Sequence, residues 1–119
     1  MTKNEQEIVA LAQRVHEQYF SDITEVITFE CQYRNGVAVA GQVLFQRPVK
    51  INLFYGVSWV IEPRYHGGWI PVIAHELAHL VNRADPESAM AERLPKNTMV
   101  IWRALQKTGE AECSIGGVK

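Results

Sequence analysis

The sequence predicts a small α+β domain: an N-terminal helix, a three-stranded antiparallel sheet, a helix carrying His75-Glu76-Leu77-Ala78-His79, and a C-terminal helix. Three observations predict it. Apolar residues recur at helical spacing in the first twenty residues, alternate between residues 26 and 55, and return to helical spacing from residue 70. A length of 119 residues allows one domain with a real but modest core.

Residues 5–20 place Ile8, Leu11, Val15 and Tyr19 on one helical face, with His16 among polar neighbours and expected at the surface. Ser21-Asp22 marks the exit. In 26–34, Ile27, Phe29, Cys31 and Tyr33 alternate with Thr28, Glu30, Gln32 and Arg34, the pattern of a half-buried strand. Asn35-Gly36 is a strong hairpin signal, so 37–46 is expected to return antiparallel to it. Gly41 interrupts that second strand and reads as a bulge or bend. A third strand, 49–55, has Val49, Ile51, Leu53 and Tyr55 on one side, completing an antiparallel meander. Gly56 to Gly68 reads as a loop whose Trp59 and Tyr65, with Trp69, either wall a cleft or pack as core. The motif helix is expected over 70–83, with Ala74 and Ala78 small enough for close approach to the sheet. Asp85-Pro86-Glu87 reads as an N-cap and first helical position, opening a short helix over 86–94. A last helix, 96–108, has Met99, Trp102 and Leu105 on one face and Gly109 as its cap. The tail, 110–119, is expected to fray.

Composition narrows the class. Apolar content of 47% and charged content of 21% suit a soluble globular fold. A net charge of −1 excludes a global basic field for nucleic acid. Cys31 and Cys113 form no CxxC, which excludes a zinc ribbon and points to free thiols in a reduced, cytoplasmic compartment. The start, MTKNEQE, has no signal-peptide character, and no apolar run approaches the ~20 residues that span a bilayer. No membrane partner is expected.

The chemistry concentrates at His75-Glu76-Leu77-Ala78-His79. Residues four apart share a helix face, so the two imidazoles can meet one metal ion. Glu76 lies about 100° round the wheel, where it can take a proton from a water polarised by that ion. Ile73, Leu77, Leu80, Val81 and Ala84 fall roughly 140–240° from His75 and are expected to face the core. The His/Glu/His face is then expected to look into a cleft. His66, in the preceding loop, is a further histidine that can fold over such a site, or simply a solvated one.

Ala40-Gly41-Gln42, then Lys50-Ile51-Asn52-Leu53, then Ile73-Ala74-His75-Glu76-Leu77-Ala78-His79-Leu80-Val81 occur in that order. The chain thereby resembles the SprT-like (Spartan-like) zinc metalloprotease domain over roughly residues 8–108. The resemblance implies a zincin-like fold, a bound Zn2+, hydrolysis of a protein or peptide substrate, and, as in several members, action on DNA-bound protein. Two departures stand out. That family takes its third ligand from a histidine downstream of the motif, and here no histidine follows His79. Residues 1–119 also hold no zinc-ribbon pattern and no basic appendage of the family's kind.

The place of the third ligand falls near Glu92, or near Asn97 if the last helix is aligned instead. Carboxylate replaces histidine in His2Glu sites, so Glu92, on the short helix after the motif, is one candidate. Asp85 is the alternative, six residues after His79, with Asn82 at a turn position that suits left-handed backbone. The third strand is expected to border the cleft, so that an extended substrate adds to it as a strand. A second reading is a catalytically degenerate zincin-fold module that grips a protein or DNA–protein partner.

Overall fold

The computed structural model describes residues 2–33, 39–55, 66–107 and 112–117. In chain order the elements are α1 (Lys3–Tyr19), β1 (Ile27–Tyr33), β2 (Val39–Phe45), β3 (Val49–Tyr55), α2 (His66–Val81), α3 (Pro86–Arg93), α4 (Lys96–Lys107) and β4 (Glu112–Gly117). The α+β class expected from periodicity holds; the sheet is mixed, not antiparallel.

α1 starts at a capping box. Thr2 Oγ1 accepts from the Glu5 N–H at 3.2 Å, and Glu5 Oε1 accepts from the Thr2 N–H at 2.7 Å, which satisfies two helix-end donors at once. Ile8, Ala12 and Val15 form its buried face. His16, expected at the surface, is half-buried: its Nε2 lies 2.9 Å from the Ile23 carbonyl, and its ring meets Phe29 edge to face.

The strands run β1-β3-β2-β4 across the sheet. β3 is parallel to β1 and antiparallel to β2, and β4 is parallel to β2. The expected pairing of β1 with β2 is therefore not formed, and Asn35-Gly36 itself lies outside the described residues. Burial explains the order. Ile51, Asn52, Leu53 and Phe54 are all buried, so β3 is covered on both faces and takes an inner place. Thr28, Gln32 and Tyr33 of β1 are exposed, which suits an edge. The tail expected to fray instead supplies β4.

Phe29, Cys31, Val43, Ile51 and Leu53 share the core face of the sheet. On the other face Lys50 pairs with Glu30 at 3.0 Å, and the Asn52 side-chain amide donates to Gln42 Oε1 at 3.4 Å. α1 packs on β1, α2 packs on β2 and on α1, and α3 and α4 pack on α2. α2 is thus enclosed, and from Trp69 to His79 every residue except the half-buried Ile70 is buried. Arg93 of α3 pairs with Asp22 through both its terminal nitrogens and lies over the Phe20 ring, tying α3 to the end of α1.

α2 begins at His66, four residues before its expected start, although His66-Gly67-Gly68 reads as a breaker. Glycine costs only about 1 kcal/mol per residue in a helix, and the helix it opens buries Trp69 completely. Its other end stops at Val81, so Val81 and Ala84, expected in the core stripe, are exposed, whereas Ile73 and Leu77 are fully buried. Among the described residues no helix is long and apolar enough to cross a membrane.

The sheet order is testable by cross-linking. Thr28 and Lys50 are register partners on the face away from the helices, and neighbouring strands lie within disulfide reach. A Thr28→Cys/Lys50→Cys chain should close an intramolecular disulfide on mild oxidation, seen as a mobility shift and confirmed by peptide mapping. A meander, with β2 between them, would hold these two residues too far apart to bond.

Candidate metal centre

α2 carries His75, Glu76 and His79 into the interior, at 7%, 0% and 6% exposure. Among the described residues, packing rather than a cleft lies beside them. The indole of Trp102, on α4, stacks on the His75 ring at 4.5 Å between centroids and 26° between planes. A surface cavity lined by Glu25, Phe45, Gln46, Arg47, Val49 and Leu80 does not include the motif's polar residues.

The two imidazoles meet edge to face, 4.7 Å between centroids and 81° between planes. Two imidazoles bound to one tetrahedral zinc, each with a Zn–N bond of roughly 2.0–2.1 Å, have centroids about 5 Å apart, so the spacing fits a shared ion. Burial, and the neighbouring His79, push the His75 imidazole down to about 3. Burial lowers His79 too, against a hydrogen bond with the Arg83 backbone that favours its charged form. Both rings are therefore neutral at pH 7, the state that offers a lone pair to a cation. Nδ1 of His75 is buried without a hydrogen-bond partner among the described residues.

Glu76 is placed by what residue 41 lacks. A Cβ on Gly41 would stand 2.9 Å from Glu76 Cγ and Oε2 and 3.0 Å from Cδ. The glycine read as a bulge or bend is thus the contact that lets the carboxylate lie against β2. An irregularity in the β2–β4 register does fall between Val39 and Gly41.

The third ligand is a different matter. Glu92 is exposed on α3. Asp85 is exposed as the N-cap of α3, its Oδ1 accepting from the Ser88 N–H at 3.2 Å and its own N–H donating to Asn82 Oδ1 at 3.0 Å. No described non-glycine residue, Asn82 included, has the positive φ that the Asp85 alternative invoked. Among the described residues, no three or more His, Cys, Asp or Glu side chains cluster to hold a metal. The structure brings the His75 and His79 rings together, sets Glu76 against Gly41, and leaves Glu92 and Asp85 exposed. The His66 side chain, and Trp59 and Tyr65, lie outside what is described; Trp69 is core. Cys31 is a free, buried thiol that burial pushes up to about 12, which makes it a poor thiolate donor at neutral pH.

Two residues of the site escaped sequence reasoning. Gly41 stood in a quoted motif, but nothing local tied it to Glu76. Trp102 read as part of one face of the last helix, and that face is buried at Met99 and Trp102, but nothing in the sequence signals that it covers His75. Comparison with protein-family models, curated proteins and solved structures finds no match to this chain. The SprT-like resemblance therefore rests on the residues quoted for it.

Gly41→Ala should cost about 1–3 kcal/mol by overpacking, read as a lower urea midpoint at unchanged slope; an unchanged midpoint would mean that the carboxylate has room to step aside. A second outcome concerns pH. Below about pH 6.5 the unfolded chain protonates His75 and the folded one does not, until pH falls to about 3. Stability of the chelator-treated protein should be whole above that window and fall as pH drops through it, by up to about 1.4 kcal/mol per unit for this one proton. Urea titrations of the parent and of His75→Phe across the window measure it, the variant showing the shallower slope.

Proposed function

We propose that the chain is a small zinc-dependent peptidase of SprT-like, zincin type, with His75 and His79 holding the ion and Glu76 as general base. One observation carries this reading: the two imidazoles meet at 4.7 Å on the helix that sets the Glu76 carboxylate against Gly41. Zinc bound there would act as a Lewis acid toward a peptide carbonyl and acidify a water. The rest is the work of the chain's own groups. His75 and His79, neutral, would hold the ion through ring nitrogens, and the Trp102 indole stacked on His75 restrains the tilt of that ring. The Glu76 carboxylate accepts a proton from the attacking water and delivers it to the leaving amine nitrogen. Glu92 is the third ligand in this reading, with Asp85 as the alternative. Both are exposed and Asp85 is engaged with the Ser88 N–H, so in this reading either would have to move to reach an ion held by the two histidines. The substrate is a protein or peptide; a DNA-bound protein rests on the resemblance alone, and a cytoplasmic location on the cysteine reading alone.

The second reading, a catalytically degenerate zincin-fold module that binds a protein or DNA–protein partner, is favoured by one fact: no three-group ligand cluster is found among the described residues. Metal content separates the two. The peptidase reading expects one zinc per chain by elemental analysis of the purified protein. It also expects casein turnover that is lost with a chelator and falls about 10²–10⁴-fold in Glu76→Gln with zinc retained. A zinc-free chain that still binds its partner supports the module, and turnover that survives both chelation and Glu76→Gln ends the peptidase reading.

A further inference from the structure

An extended peptide binds a sheet by pairing with an open strand edge. The sequence suggests β3 for that role, but β1 and β2 occupy both its edges. β2 is the strand against which Glu76 rests, through Gly41. Gly41 meets Glu76 through the face of the sheet, and the edge of β2 away from β3 runs past that same residue. That edge is filled by the chain itself: β4 pairs with it in parallel, from Glu112 opposite Val39 to Gly117 opposite Phe45, with Cys113 opposite Gly41.

β4 has a sequence poorly suited to a strand. Glu-Cys-Ser-Ile-Gly-Gly has one β-branched residue and two glycines, a poor composition for a strand. Its register on β2 is broken once, between Val39 and Gly41. Among the described elements, its main contact is with β2. We infer that β4 is an intrasteric occupant of the peptide-docking edge of β2, which an extended substrate must displace to reach Glu76. This rests on the peptidase reading. Binding then requires the state in which β4 has left, and apparent affinity falls in proportion to how seldom it leaves.

The test uses the full chain. In Ser114→Pro/Ile115→Pro two successive positions lose their N–H, and in a parallel pair one of those two faces β2. If β4 holds the edge in roughly nine molecules of ten, KM for a quenched-fluorescent casein peptide should fall about tenfold in the variant. A fluorescein-labelled peptide with the sequence of residues 110–119 should bind the variant, compete with the casein peptide, and bind the parent about tenfold more weakly. Leu44→Cys/Gly116→Cys, partners in register, should do the reverse. Oxidation pins β4 and suppresses turnover, and a phosphine reductant restores it. The inference is overturned by an unchanged KM in a folded proline variant, together with a labelled peptide that binds both proteins alike or neither. In that event Glu76-dependent turnover by the parent leaves the peptidase reading standing. If neither protein cleaves casein, the peptidase reading falls, and binding of the labelled peptide alone decides whether the edge exchanges. If the proline variant does not fold, the cysteine pair decides: equal turnover oxidised and reduced overturns the inference.

Discussion

The Glu76 carboxylate occupies the space that a side chain at position 41 would need, and it does so with no exposure to solvent. That contact is possible because α2 is pressed onto β2 by α1, α3 and α4 packed around it. A helix enclosed in this way is expected to be apolar on every side. α2 is nearly so, with Trp69, Val72, Ile73, Ala74, Leu77 and Ala78 buried beside His75, Glu76 and His79. Burying ionisable groups costs stability that hydrocarbon of similar volume does not. The same burial confers a chemical property: it holds both imidazoles neutral, while the packing of Trp102 on His75 and of Gly41 on Glu76 restricts where each group can sit. A buried, closely packed setting is what the proposed ligand pair and base would need in order to be preorganised.

Legibility followed the range of the physics. α1 and the three strands were readable because burial of one face prints a period of 3.6 or 2 on the sequence. α3 was readable because Asp85-Pro86 is a cap written in adjacent residues. The His75–His79 pair was readable because a spacing of four is a local property of any helix. The sheet order was not. Asn35-Gly36 reports only a local turning tendency, whereas the inner place of β3 depends on covering both its faces, and Asn52 in its middle disguises that burial as alternation. The early start of α2 was hidden by Gly67-Gly68, whose weak local preference is outweighed by the burial of Trp69. β4 was hidden because backbone pairing, unlike apolar packing, leaves little trace in a Gly-Gly segment. Gly41 and Trp102 belong to the site through contacts between distant parts of the chain, which no window of residues reveals.

On the peptidase reading, a peptide has to reach a helix whose described residues from Trp69 to His79 are nearly all buried. Two boundaries can be compared. Moving α4 would expose Met99 and Trp102, at 3% and 2% exposure in the folded chain. Burial of such a side chain contributes about 1.5–3 kcal/mol or more apiece, and the stacking on His75 would be lost as well. Displacing β4 removes backbone pairing from a glycine-rich strand, and an incoming peptide restores the same kind of pairing on the same edge. Exchange of like for like has a small net cost even when complete loss of the strand does not. Of these two boundaries among the described elements, the edge of β2 is the lower in energy to open, and opening it leaves the helix layer, and with it the geometry of the two histidines, undisturbed.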